Sequence, residues 1–333
     1  MSSTTAPRTR GGVSGDVAAV LVTAVLVAVA AVVGAIARQH GVPIHADTAP
    51  LYARWLPHLG PGTAPAVAVG ALVVLFGPRL AAHLSWRALL GAAYLGSLAW
   101  TLGLALVDGW ERGVTRRLTT PTEYLAEVPR IDDVSTMLST FADRITGISA
   151  QTWITHVAGH PPGATLVFVG LDRLGLSGGT AASLLCILVG ASATVAVAVT
   201  LRALGHETAA RAALPFGVLL PGAVWVGASA DGLFAGVLAW AVALFALGAT
   251  GTGARGALAA GAGGLLLGGS LYLSYGLVLA GLLPLAVLTR TRRLRPLLIA
   301  TAAVIAVVST FTALGFWWLD GYEQVRQRYY QPG

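Results

Sequence analysis

WITHVAGHPPGATLVF, residues 153–168, decides how the rest of the chain is threaded. Two histidines four apart, His156 and His160, run into Pro161, Pro162 and Gly163, and only then does an apolar segment begin. That segment, GATLVFVGLDRLG, is interrupted by Asp172 and Arg173 and falls short of the roughly 20 apolar residues that a bilayer-crossing helix needs. It is expected to be an interfacial helix opened by His160, Pro161 and Pro162. Proline is tolerated in the first helical turn, where its missing N–H has no intrahelical partner to lose. The pair therefore stops what precedes it and leaves the histidines at the water interface, facing the preceding loop. Two readings follow: a rigid corner with His160 as a cap, or a site where His156 and His160 touch a polar substrate. Four-residue spacing on a helix would also suit a metal, but the glycine and prolines argue against it and no third ligand is adjacent.

Around this stretch the chain is strongly apolar. Of its 333 residues, 56% are hydrophobic and 11% charged, with a mean hydropathy of +0.75. An average soluble domain carries about 25% charged residues, so the composition specifies an all-α polytopic membrane protein. Every basic side chain is arginine, and the net charge of +7 is explained by arginines anchoring loops at a membrane surface, with no role for nucleic acid. Cys186 is the single cysteine, which excludes a disulfide framework within the chain. Residues 1–15 precede a span too long for a signal-peptide core and are expected to be a cytoplasmic leader.

A 20-residue ruler gives about nine transmembrane helices, near 16–37, 64–78, 87–107, 178–200, 209–228, 232–249, 256–273, 275–289 and 297–318. Arginine in the short loops sets the orientation. With Arg8 and Arg10 cytoplasmic, the same side receives Arg79 and Arg87, Arg202 and Arg211, Arg255, and the cluster Arg290, Arg292, Arg293 and Arg295. The N-terminus is then inside and the C-terminus outside. Residues 16–86 form an N-terminal transmembrane hairpin, and 87–333 a second module with a long extracytoplasmic loop, 108–177.

Most of the polar chemistry falls in that loop, and loops of such length are usually functional or disordered. In DDVSTMLSTFADRITGIS, residues 132–149, Val134, Met137, Leu138, Phe141, Ile145 and Ile148 recur at helical spacing with Asp132 placed to cap the start. This predicts a first interfacial helix over 132–148, one face in the headgroups, with 163–175 as the second.

A span ending in an acid, a long external loop with two surface helices, an HPP motif opening the second, and a following bundle resemble the GT-C superfamily of membrane glycosyltransferases. DGWERG, TEYLAEVPRI, HVAGHPPG, SADGLF and RYYQ carry the resemblance, which covers residues 87 to about 250 and is closest to actinobacterial mannosyl- and arabinosyltransferases. It implies transfer of a sugar from a polyprenyl-phosphate donor to an envelope glycan or lipid acceptor on the extracytoplasmic face. Asp108, in LALVDGWERG, stands where the superfamily keeps its general base, the group that takes the acceptor hydroxyl's proton as it attacks the anomeric carbon. Arg112, Arg116 and Arg117 follow closely and suit the leaving phosphate; each serves equally well as a headgroup anchor. Glu123 and Tyr124 match an acid followed by tyrosine on the first surface helix, so Glu123 rivals Asp108 as the base or positions the acceptor. Asp231, at an external turn, matches a second acid that holds donor phosphate through a metal, or holds the acceptor. Asp47 lies outside the shared module and ranks below these.

Two departures qualify the resemblance. The first module span ends without a paired DxD or DD, so the cofactor, a divalent metal or none, is left open. The chain stops at DGYEQVRQRYYQPG, where family members continue, which is expected of a fragment or a short member. Two other functions compete. A transporter or flippase of lipid-linked sugars keeps ionisable groups at mid-membrane on interrupted helices, often with internal repeats, whereas these acids sit at the rim. A non-catalytic scaffold subunit needs no convergence of Asp108, Glu123, His160 and Asp231; an enzyme does.

Overall fold

The computed structural model describes residues 13–46, 53–54, 56–147 and 151–330; Asp47, Ile148, Gln331 and most of the leader lie outside them. The chain divides into two compact units, Met1–His58 and Leu59–Gly333. The first holds α1 (Val13–Gln39) and a two-residue antiparallel ladder of β1 (His45–Ala46) and β2 (Ala53–Arg54). Valines, leucines and alanines on every face make α1 an apolar helix long enough to cross a membrane.

Among its described residues, the regular elements of the second unit are all helices. It begins with α2 (Thr63–His83) and α3 (Trp86–Ala105), and α2, which the hydropathy pattern groups with α1, packs on α3. The loop region carries short helices α4 (Val134–Ser139), α5 (Thr155–Gly159) and α6 (Gly163–Arg173). Beyond it come α7 (Gly179–Ala191), α8 (Ala193–Ala203), α9 (Glu207–Val218), α10 (Ala223–Val226), α11 (Ala230–Thr250), α12 (Gly253–Leu271), α13 (Leu282–Thr291), α14 (Leu294–Ala313) and α15 (Trp318–Tyr330).

Among the described residues six helical segments are long and apolar enough to cross a membrane: 17–39, 63–83, 86–108, 179–203, 230–250 and 294–313. The segment 179–203 bends at Ser192, where α7 passes into α8 and the Ser192 hydroxyl bonds Val189 O at 2.6 Å. The other three expected spans take different forms. Residues 209–228 contain Pro215 inside α9, a break after Val218 and the four-residue α10. Residues 256–273 form the glycine-rich α12, and 275–289 open as a 3-10 turn before α13.

Small residues hold this bundle together. α11 is the central helix, packed against α7, α8 and α12, and α12 packs in turn on α14. Glycine allows the close approach: a side chain at Gly263 would meet Phe245 N at 2.7 Å and Ala241 O at 2.9 Å, and one at Gly236 would collide with Val189 O. Such crossings gain dispersion contacts where lipid removes the hydrophobic driving force.

Residues 118–147 and 151–169 form a layer of different character on the ends of α7, α11 and α12. Its core joins Leu118, Tyr124, Phe141, Trp153 and Phe168 to Cys186, Phe234, Tyr272 and Phe316. The helix expected over 132–148 is shorter, α4 followed by a 3-10 turn at Ala142–Arg144. The hydroxyls of Ser139 and Thr140 turn back onto Thr136 O at 3.2 and 2.8 Å, competing with the backbone where α4 stops. Asp133 and not Asp132 is the cap, accepting the Thr136 N–H at 2.6 Å. Met137, Leu138, Phe141 and Ile145 are buried in the protein core, so this apolar stripe is not a headgroup-facing surface. α6 likewise buries Ala164, Thr165, Phe168 and Val169 and ends before Gly175, whose φ of +76° suits a glycine after a helix.

Candidate functional site

The HPPG corner is built by the backbone. α5 carries His156 and ends at His160, which is extended; Pro162 then caps α6. The Gly163 N–H donates to Tyr272 O at 2.7 Å, and a side chain at Gly163 would collide with that carbonyl. Thus the glycine after the prolines docks the corner onto the end of α12, while the prolines enforce the reversal before it.

The histidines face the loop that precedes them. His156 donates through its backbone N–H to Thr122 O at 3.1 Å, and its Nδ1 lies 2.7 Å from the same carbonyl. A carbonyl only accepts, so Nδ1 carries the hydrogen and Nε2 is turned to Glu123 Oε1 at 3.6 Å. His160 Nδ1 likewise donates to His156 O at 2.9 Å, leaving its Nε2 as an acceptor. Burial lowers the His160 pKa, the His156 carbonyl and Asp231 opposing it, and the ring is kept neutral.

Glu123 is the perturbed acid of the site. Burial raises its carboxyl above the ordinary range, His156 and Arg117 pull it back, and Asp231 raises it further. Tyr124 beneath it is 1% exposed, with ring centroids 6.1 Å from His156, 5.9 Å from His160 and 5.4 Å from Phe168. Burial and the charges of Glu123 and Asp231 push its phenol well above the usual tyrosine range. Its Oη is buried without a hydrogen-bond partner among the described residues.

Asp231 reaches this cluster from the first turn of α11. Its backbone N–H donates to Ser229 Oγ at 3.2 Å, and that hydroxyl donates to Asp231 Oδ2 at 3.1 Å. Just before it Ala228 adopts φ +53°, a left-handed conformation unusual for a residue with a Cβ. The sequence ASADGLF, residues 228–234, thus gives a left-handed residue at Ala228 and then a capped helix start with the acid in its first turn.

Glu127 holds the cluster's framework. Its carboxylate is fully buried; Oε1 accepts from the Ile154 N–H at 3.2 Å and from Arg130 Nη1 at 3.1 Å, while Oε2 has no hydrogen-bond partner among the described residues and lies 3.0 Å from Arg130 Nη1 as an ion pair. A buried charge needs such pairing, and here it ties the Glu123 turn to the chain entering α5. Arg144 covers the Trp153 ring at 3.3 Å, and Arg328 of α15 donates to Ile145 O and Trp153 O at 2.6 and 3.0 Å.

Asp108 belongs to another neighbourhood. It ends a 3-10 turn after α3 and pairs with Arg112 at 3.6 Å. Arg116 is occupied by Glu111 at 2.8 Å. Of the three arginines, Arg117 alone has no carboxylate ion pair among the described residues, and it is the one that acts on Glu123. Six expected residues therefore converge electrostatically or by contact, namely Arg117, Glu123, Tyr124, His156, His160 and Asp231, whereas Asp108, Arg112 and Arg116 form local pairs. No group of three or more His, Cys, Asp or Glu suited to a metal occurs among the described residues.

Sequence reasoning missed the roles of Glu127, Gly163 and Ser229. The i, i+3 spacing of Glu127 and Arg130 was a signal for the buried pair; nothing local announces the contact between Gly163 and Tyr272. The chain matches no protein-family model, no curated protein and no solved structure.

Proposed function

We propose that the chain is a membrane glycosyltransferase that moves a sugar from a polyprenyl-phosphate donor to an envelope glycan or lipid acceptor on the extracytoplasmic face. The observation that carries this reading is the meeting of Glu123, His156, His160 and Asp231 over a buried tyrosine, beside Arg117, which has no ion pair among the described residues and lowers the Glu123 pKa. Two carboxylates, two imidazoles and a cation in one place suit a reaction that removes a proton from a hydroxyl and releases a phosphate.

In this proposal the base is Glu123, in place of Asp108. Burial raises the Glu123 pKa, and a base works best when its pKa approaches the operating pH; Glu123 also stands beside the two histidines and Asp231. The acceptor hydroxyl gives its proton to Glu123 as its oxygen bonds to the anomeric carbon. The bond from that carbon to the phosphate oxygen breaks, and the lipid phosphate leaves toward Arg117, whose guanidinium suits phosphate oxygens. Neutral His160 accepts a hydrogen bond from a sugar hydroxyl at Nε2 and Asp231 holds a second hydroxyl of the acceptor, with buried Tyr124 packed beneath the two imidazoles.

Membranes containing the wild-type chain should consume labelled polyprenyl-phosphate sugar and transfer it to added acceptors. A cysteine at Thr120 should react with an impermeant reagent in intact cells. Donor left intact across plausible sugars and acceptors would end the enzymatic reading in favour of a scaffold. Labelling of Thr120→Cys only after lysis would move the site to the cytoplasm.

A further inference from the structure

At the end of the bundle remote from this cluster, the turns between α11 and α12 and between α13 and α14 carry charge of one sign, while Glu207 at the start of α9 is paired with Arg202 and Arg211. Between Asp231 and Asp320 the chain has no acid and five arginines, Arg255, Arg290, Arg292, Arg293 and Arg295, all exposed. They belong to two neighbouring turns, α11 to α12 and α13 to α14. α11 runs from Asp231 to this end over about 30 Å at 1.5 Å per residue, so the two polar regions face opposite membrane surfaces.

A cavity of about 350 Å³ opens here between the first turns of α12 and α14, lined by glycine backbone and by Arg293 and Arg295. Arg293 is fixed: its guanidinium donates to Gly251 O at 2.9 Å and Thr250 O at 3.4 Å, closing the cavity floor. The other four arginines have no ion pair among the described residues. Neither helix is capped by a side chain at this end, so their first N–H groups add to the positive field. Immediately beside the charge, Leu258 is 73% exposed, Leu294 65% and Leu298 68%. An anion with an apolar tail meets complementary surface on both parts, and a free anion meets it on one.

We propose that this cavity binds the headgroup of an anionic phospholipid, phosphate at Arg293 and Arg295 and acyl chains along Leu258, Leu294 and Leu298. Basic pockets between membrane helices take such headgroups because each arginine near the surface adds attraction and the glycine-lined wall leaves room for the phosphate. Occupancy would brace α12 against α14 at their starts. This inference does not depend on the glycosyltransferase reading.

The full chain is reconstituted in nanodiscs of phosphatidylcholine alone or mixed with phosphatidylglycerol, and retained lipid is read by native mass spectrometry. The wild type should keep phosphatidylglycerol and shed phosphatidylcholine, with a higher thermal midpoint in the mixed discs. Arg255→Gln and Arg295→Gln, neither of which removes an internal bond, should each weaken retention about fivefold. Arg326→Gln at α15, which is paired with Glu323 at 2.8 Å, should leave it unchanged. Equal retention of both lipids, or an equal loss in Arg326→Gln, would overturn the proposal. So would stabilisation by inorganic phosphate matching that by the lipid, which would make the cavity a site for free phosphate.

Discussion

The bundle and the layer on its end solve the packing problem in opposite ways. Inside the bundle, Gly236, Gly248, Gly263 and Gly264 let backbones touch, and the buried residues of α11 are mainly alanine and glycine. In the layer, Trp153, Tyr124, Phe141 and Phe168 fill the core, and ions enter it, Glu127 wholly buried with Arg130 beside it. Small-residue contact works in lipid, where there is no water to expel; large aromatic burial works where there is. The layer is therefore the part of the fold where ionisable groups can be held half-buried and aimed. Four of the converging residues, Glu123, Tyr124, His156 and His160, come from the chain that builds it, Arg117 immediately precedes it, and Asp231 comes from the start of α11.

The largest effect expected from this contrast is in the bundle. Gly236→Leu would drive a branched side chain into the Val189 carbonyl, and the crossing of α7 and α11 has no way to relax except by separating. Loss of monodisperse protein on extraction is expected, read by size-exclusion profile. Gly159→Ala in the layer, where a Cβ meets nothing within 4 Å, should extract as wild type. A well-behaved Gly236→Leu protein would break the contrast.

Next in size is the loss of chemistry. Glu123→Gln should lower transfer by about 10²- to 10⁴-fold, the usual worth of a general base, while Asp108→Asn should stay within a few-fold of wild type. Extraction and thermal midpoint of Glu123→Gln should hold. Burial raises the Glu123 pKa, so the native state binds that proton more tightly than the unfolded state does. Its contribution to stability falls as pH rises from the ordinary carboxylate range through the raised value, and glutamine removes that loss. The reverse pattern, Asp108→Asn inactive and Glu123→Gln active, would return the base to Asp108.

The same contrast explains what was legible in the sequence. Long apolar runs state their own secondary structure, and the six described helical segments long and apolar enough to span follow from length and hydropathy alone. The rim position of Asp231 and the break at His160–Pro162 were also readable, since proline and helix ends have local causes. In the layer the period fails: α4 has only six residues, and 3-10 turns at Tyr124–Ala126, Val128–Arg130 and Ala142–Arg144 carry no 3.6-residue signature. The stripe from Val134 to Ile145 was correctly apolar, but whether it faced headgroups or Trp153 depended on residues distant in sequence. For the same reason Asp108 and Glu123 looked interchangeable. Their difference lies in Arg112 standing beside one and His156 beside the other.

A smaller loss is expected from the layer's own core. Trp153 is 1% exposed, donates from Nε1 to Phe141 O at 3.0 Å and lies under Arg144. Trp153→Ala should cost about 3–5 kcal/mol, since it leaves a cavity, an unpaired carbonyl and an uncovered guanidinium. The expected reading is a lowered midpoint for the loop's own unfolding, followed by proteolysis within 118–169, with the spanning helices still protected. Simultaneous loss of bundle and layer would show that the two do not unfold separately.

The smallest effect tests the electrostatics of the base. With Glu123 required in its charged form, kcat/KM should rise with pH through the raised carboxyl pKa, above the ordinary carboxylate range. Arg117 lowers that pKa and Asp231 raises it, Arg117 being the stronger of the two. Removing the cation in Arg117→Gln should therefore move the acid limb to higher pH. Removing the neighbouring anion in Asp231→Asn should move it to lower pH, by less. Both variants lose rate through weaker substrate contacts, so the position of the limb is the measurement and its height is not. A merely structural role for either residue would scale the curve without shifting it. Shifts of one sign in both variants, or a limb that persists in the residual activity of Glu123→Gln, would assign the titrating group to another residue, and Asp108 would be the next to test in the same way.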